Sequence, residues 1–250
     1  RDDSFSHFMR MDGKRTQESA IFKNFSLGVA TGRDAWSYNF SVGSLSNNIK
    51  KLINNYETIR KEFEVNKEYQ FAKDPTKISW NRTLEQKLHR NIKLVFDSNS
   101  LFKSLYRPFI KENLYFNEHL VAMKYQIPQL FPINETKNLS ICSSGVGSKE
   151  FSCLMVNQIP CLDFLEKTQS FPRWLPGEQA KEAEDVLDFG EPNEVPSGFS
   201  PEALPHFQAA YPGMPMTEDD LFYYIYGILH SEDYRTRYAN NLMKELPRIP

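Results

Sequence analysis

The most regular hydrophobic pattern in the chain lies in residues 49–63, which read IKKLINNYETIRKEF. Apolar side chains recur there every three or four residues, at Ile49, Leu52, Ile53, Tyr56, Ile59 and Phe63. Because an α-helix has 3.6 residues per turn, this spacing puts them on one face and predicts a helix of about five turns. We expect Ser46, Asn47 or Asn48 to cap it by accepting first-turn N–H groups.

Shorter patterns on both sides of this helix predict a sheet. Alternating or continuous apolar runs typical of strands occur at residues 21–29, 92–96, 102–106, 114–116, 139–142 and 151–156. A second helix is expected from Thr83, and the acid-rich starts after Thr217 and Ser231 predict two antiparallel C-terminal helices. The predicted fold class is α+β, a mixed or antiparallel sheet with flanking helices and a C-terminal antiparallel helix pair.

Composition suggests four regions along the chain. Residues 1–19 are polar and are expected to be a flexible or linking segment, followed by a core over 20–175. Eight of the fifteen prolines lie in residues 172–215, which favours an extended, acidic connector over 176–216. The helix pair would occupy 217–250.

Charge is distributed unevenly, although the whole chain carries only −2. Residues 178–195 hold seven acids against Lys181 alone, a local −6. Residues 49–107 hold thirteen Lys/Arg and seven Asp/Glu, a local +6. A basic region beside an acidic segment points to a polyanionic partner, with an ordinary solvated helix face as the alternative.

The sequence also indicates a cellular setting. It has no apolar run of about 18 residues, so no membrane span is expected, and its charged first residues lack the apolar stretch of a secretory signal. Cys142, Cys153 and Cys161 are an odd number whose spacing fits neither a disulfide framework nor a CxxC metal site. A cytoplasmic location is therefore predicted.

Familiar catalytic motifs are missing from the sequence. It contains no GxxxxGK[ST] phosphate loop, no GxSxG and no HExxH, and its five histidines show no metal-ligand spacing. We find no nucleophile–base pair that would indicate a hydrolase. The chain itself is therefore predicted to be non-catalytic and to hold no metal.

Positively charged residues stand beside aromatic ones at several points. Lys77 and Arg82 flank Trp80, and Arg107 follows Tyr106. Lys and Arg neutralise phosphates and release counterions, while Arg can read guanine and Asn can read adenine. The alternatives are core packing of the aromatic rings and, at 33–34, a structural Arg–Asp ion pair.

Ordered motifs along residues 20–250 carry a family resemblance. They lie at residues 30–36, 38–41, 77–80, 106–109, 114–115, 141–147, 151–152, 159–160, 169–172, 222–231, 234–239 and 246–250. In this order they resemble the C-terminal target-recognition region of Type ISP restriction–modification enzymes. Those enzymes are single chains that join a nuclease, an ATP-driven DNA translocase, a methyltransferase and a specificity region.

This resemblance implies a DNA specificity module that binds double-stranded DNA beside the methyltransferase domain of the same parent chain. The methyltransferase would flip and methylate one adenine, and the same recognition event would gate nuclease and ATPase action. The module would need no cofactor, whereas the parent would use S-adenosylmethionine, ATP and Mg²⁺. The competing interpretation is a structural or interaction module that couples the methyltransferase to the other domains.

Seven residues are candidates for contact with DNA on this interpretation. Phosphate contacts are expected from Lys77, Arg82, Arg90 and Lys149, and base contacts from Arg33, Asn39 and Arg107.

Overall fold

A computed structural model describes residues 2–12, 19–178 and 195–250. The chain forms two compact units, a central unit of residues 29–124 and a terminal unit of residues 1–28 and 125–250. The α+β class is confirmed, but the expected core over 20–175 is divided between the two units. All of the acidic segment except its two end residues, 178 and 195, lies outside the described residues.

Helices and strands are interspersed along the chain, with four strands in succession before the C-terminal helices. The α-helices are α1 (Asp34–Ser37), α2 (Val42–Val65), α3 (Arg82–His89), α4 (Ile127–Leu130), α5 (Ala203–Ala210), α6 (Glu218–His230), α7 (Glu232–Arg237) and α8 (Ala239–Leu242). The β-strands are β1 (Met9–Arg10), β2 (Ser26–Leu27), β3 (Tyr38–Asn39), β4 (Leu101–Arg107), β5 (Ile110–Tyr115), β6 (Ser140–Ser143), β7 (Cys153–Val156), β8 (Ile159–Pro160), β9 (Gln169–Pro172) and β10 (Arg248–Ile249).

Helix α2 organises the central unit, as its hydrophobic pattern predicted. Its apolar stripe is buried and forms one core with Leu84 and Leu88 of α3 and with Tyr115 of β5. The helix begins seven residues before Ile49 because the cap is Ser41, whose hydroxyl accepts the Ser44 N–H at 3.2 Å. The predicted caps at 46–48 were therefore wrong.

A hairpin of β4 and β5 lies against α2 in the central unit. Its antiparallel register runs from Leu101 opposite Tyr115 to Arg107 opposite Ile110, and β3 pairs with the other edge of β5. The predicted strands at 102–106 and 114–116 are thus confirmed.

Residues 92–96 of the central unit are not a strand, contrary to prediction. Their backbone groups are taken by side chains of α2. Glu57 accepts the Leu94 N–H at 2.8 Å, and the Tyr56 hydroxyl donates to the Ile92 carbonyl at 2.8 Å. Because these groups are satisfied by α2, Leu94 is buried without a neighbouring strand.

The terminal unit contains an antiparallel sheet in the order β2-β9-β6-β7. Ser140 lies opposite Val156 of β7 on one side and Pro172 of β9 on the other, which confirms the strands predicted near 139–142 and 151–156. Phe22 packs on this unit's core, with its ring centroid 5.0 Å from that of Phe199 and 5.4 Å from that of Phe171.

The predicted flexible or linking segment (1–19) and the predicted connector (176–216) both contribute residues to the terminal unit's core. Residues 3–7 form a 3-10 helix, Phe5 is fully buried 5.1 Å from the Tyr238 ring, and β1 pairs with β10. In the region expected to be a connector, Phe199 and Phe207 are buried in the same core. A few apolar residues at suitable spacing thus anchor segments whose composition is mainly polar or proline-rich.

The C-terminal helices are present. Thr217 caps α6 in a reciprocal pair with Asp220, and Ser231 caps α7, as their sequence signals predicted. The second of these helices, α7, ends at Arg237. Tyr238 interrupts it, and the short α8 follows.

Candidate nucleic-acid interface

The two structural units differ in net charge: the central unit is positive and the terminal unit is negative. The central unit holds sixteen Lys/Arg against ten Asp/Glu, a net +6, whereas the terminal unit holds fourteen against twenty-two, a net −8. An attraction to a polyanion therefore belongs to the central unit, where six of the seven candidate residues lie.

A hydrogen-bond network joins the segment before α2 to the β4–β5 hairpin. The Asp34 carboxylate accepts hydrogen bonds from the hydroxyls of Thr31 and Tyr106, the latter at 3.4 Å. The side-chain amide of Asn113 donates to the backbone carbonyl of Asn39 at 3.0 Å. Since Tyr106 and Asn113 belong to β4 and β5, this network fixes the segment that carries Asn39 against the hairpin that carries Arg107.

Two predicted base-reading residues, Asn39 and Arg107, are half-buried in this region. The Arg107 guanidinium lies 4.0 Å from the centre of the Tyr106 ring and donates from Nη1 to the Tyr106 carbonyl at 2.7 Å. The side-chain oxygen of Asn39 accepts the Ser41 N–H at 2.9 Å. Both side chains are therefore held in place before any ligand binds, which lowers the entropy lost on recognition.

Arg33 has a different position from the one expected. Its side chain is 4% exposed, and Nη1 donates to the Leu120 carbonyl, while Nε and Nη2 make no hydrogen bond to any residue that the structure describes. Burial lowers the pKa of Arg33 to about 10. This corrects the expectation of an accessible base reader, because the link to Leu120 holds the side chain inside the unit. The Asp34 carboxylate bonds Thr31 and Tyr106 instead of Arg33.

Cations gather around the C-terminal end of α3. Burial lowers the pKa of Lys87. The negative charge of Glu118 opposes this shift, and the positive charges of Arg33, Arg90 and Lys124 add to it. The sequence interpretation missed Lys87 and Lys124. The available signal for Lys87 was its spacing from Arg90, since Lys87 lies in the last turn of α3 and Arg90, three residues later, is the C-cap of that helix.

The four predicted phosphate contacts all have exposed side chains. Arg82 is the first residue of α3 and Arg90 is its C-cap, so they lie about 12 Å apart along the axis and about 80° apart around it. Lys77 ends a turn in which its N–H donates to the Asp74 carbonyl at 3.1 Å. Lys149 belongs to the terminal unit, where its N–H donates to Glu166 at 2.9 Å.

No group of three His, Cys, Asp or Glu side chains is placed to hold a metal ion among residues 2–12, 19–178 and 195–250. Cys142 is fully buried, and burial raises its pKa to about 12, so its thiol stays protonated at neutral pH. Over the same residues, no helix has the length and apolar character needed to cross a membrane.

The chain matches a known protein family over residues 20–250. That family is described as the Type ISP C-terminal specificity domain. Because the match covers most of its length, the chain belongs to this family, as its sequence motifs indicated. No curated protein matches the chain at a significant level.

Three solved structures show what such a domain is part of. A nuclease-deletion mutant of the Type ISP restriction–modification enzyme LlaGI, in complex with a DNA substrate mimic, is 30% identical with a TM-score of 0.80. A DrdV–DNA complex is 30% identical with a TM-score of 0.84, and the ATP-dependent Type ISP enzyme LlaBIII bound to DNA is 28% identical with a TM-score of 0.82. Each match covers 100% of this chain but only 22%, 24% and 16% of those chains, respectively.

Proposed function

We propose that this chain is the DNA target-recognition module of a single-chain restriction–modification enzyme and binds double-stranded DNA without catalysing a reaction itself. The main support is the match of its whole length to parts of proteins solved in complex with DNA. The +6 charge of the central unit supports the same partner, since phosphate neutralisation supplies most of the affinity of such proteins for DNA.

The proposed contacts follow the exposed cations and the hairpin. Three side chains of the central unit contact DNA phosphates, namely Lys77, Arg82 and Arg90. Lys149, which belongs to the terminal unit, contacts a further phosphate. Other side chains read bases. Arg107 and Asn39 are our candidates because both are ordered by neighbours yet remain partly exposed. Arg33 has a structural role instead, because its hydrogen bond to the Leu120 carbonyl holds the backbone there in place.

The parent enzyme supplies the chemistry in this proposal. The module holds a duplex so that a methyltransferase domain of the same chain flips and methylates one adenine, and the same event gates the nuclease and the translocase. S-adenosylmethionine, ATP and Mg²⁺ are proposed for those domains, and no cofactor for this module. DNA as the partner favours a cytoplasmic location.

Selection from a pool of random duplexes tests whether the chain recognises DNA. At low salt we expect the wild-type chain to enrich one short motif, with a scrambled duplex bound about 10³-fold more weakly. The logarithm of affinity should fall linearly with the logarithm of salt concentration, with a slope of about −3.6 if four phosphates are contacted. If the chain retains no duplex at low salt, it instead acts as an interaction module between domains.

A further inference from the structure

The tip of the β4–β5 hairpin presents an aromatic side chain to solvent. Arg107 and Ile110 are the last paired residues, so Pro108 and Phe109 form a two-residue loop. Phe109 is 88% exposed, in contrast to Phe102 of the same hairpin, which is buried. Exposing a phenylalanine ring gives up the free energy of its burial, so the folded domain itself gains nothing from this ring.

The backbone of Phe109 is also unfavourable for the residue that occupies it. Its φ is +64°, in the left-handed region that crowds the Cβ atom of any residue except glycine. A loop with proline first and a positive φ second has the pattern of a type II turn, in which glycine or asparagine normally takes the second place. Residues in strained backbone conformations cluster at functional sites, so the exposed Phe109 ring is a candidate for contact with a partner.

The surroundings of Phe109 favour nucleic acid as that partner. Arg107 precedes the two-residue loop and the exposed Lys111 follows it one residue later, in a unit that carries +6. A cation beside an apolar tip matches a duplex, in which the backbone phosphates run along the outside of the stacked bases. Phenylalanine is among the residues that insert between base steps. The energy of stacking an aromatic ring on a base depends little on which base it is.

We propose that Phe109 is a wedge that inserts into the base stack of the bound duplex, with Lys111 holding an adjacent phosphate. This inference rests on the proposed function, because it requires the chain to bind DNA. It adds that binding distorts the duplex at one base step, and that the strain at Phe109 is retained for that contact.

Replacing Phe109 separates its effect on binding from its effect on folding. We expect F109G to weaken binding to the selected duplex about tenfold, because a base–aromatic stack is lost. The same change should raise Tm by about 2–4 °C, because glycine relieves the positive φ. F109N should behave similarly, and F109W should keep wild-type affinity. A 2-aminopurine scan of the duplex should show one step whose fluorescence rises with wild-type and F109W but not with F109G.

The control is Y223A, which removes an aromatic ring that is 55% exposed on α6 of the terminal unit. It should change neither affinity nor 2-aminopurine fluorescence. Wild-type affinity in F109G, or an unchanged 2-aminopurine scan, would overturn the wedge while leaving the proposed function intact. A ring that packs on another domain of the parent would give this result. Failure of the wild-type chain to bind any duplex would overturn both.

Discussion

Replacing Lys77, Arg82 and Arg90 together by alanine is expected to weaken duplex binding by about 10²–10³-fold at 0.1 M salt. Each phosphate contact releases about 0.9 counterion, which corresponds to about one decade of affinity at that salt concentration. The three side chains are exposed on the central unit, so the fold should be unaffected. A salt titration of the wild-type and triple-variant chains should show the slope reduced by about 2.7.

The matched control removes the same charge from the terminal unit, by changing the exposed residues Lys23, Lys137 and Lys244 to alanine. We expect its salt slope to remain close to that of the wild type. Equal slopes in both triple variants would mean that general charge, not the α3 region, attracts the duplex.

Arg173→Ala should lower the free energy of unfolding of the terminal unit by about 2–4 kcal/mol. Arg173 is 5% exposed, and its guanidinium donates from Nε to Asp219 at 2.6 Å and from Nη1 to Glu218 at 2.8 Å. It also lies 3.6 Å from the centre of the Trp174 ring. Because the carboxylate of Asp219 is largely exposed, its share is discounted, and most of the loss comes from Glu218 and the stacking. Urea unfolding monitored by tryptophan fluorescence measures the change.

Arg173→Lys is the control for this change, since it keeps the charge but loses the planar fork that bonds two carboxylates. It should recover part of the stability. A double-mutant cycle with Glu218→Ala should give a coupling energy of about 1.5–3 kcal/mol, in the range of a charge-assisted hydrogen bond. A loss below about 1 kcal/mol in Arg173→Ala would show that this ion pair does not hold α6 to the unit.

Local patterns predicted the elements whose stability is local. The stripe from Ile49 to Phe63 predicted α2 because one buried face requires that spacing. The signal at Thr217 predicted the start of α6 because its capping groups lie within four residues. The family resemblance was also confirmed. It could be found from the sequence because its motifs are short and occur in a fixed order.

Features that depend on distant partners could not be predicted in this way. Residues 92–96 have strand-like composition, but side chains of α2 take their backbone hydrogen bonds. The burial of Arg33 could not be predicted, because its partner, the Leu120 carbonyl, lies 87 residues away in sequence. The exposure and positive φ of Phe109 could not be predicted either, because both depend on how the hairpin folds.

The segment swap between related enzymes tests the central claim most directly. Residues 20–250 of this chain would replace the matched segment of LlaGI, and the methylated sites would be mapped across a genome that expresses the hybrid. We predict that the methylated motif changes from that of LlaGI to the motif that this chain selects from random duplexes. Methylation that stays at the LlaGI motif would show that these residues do not choose the target.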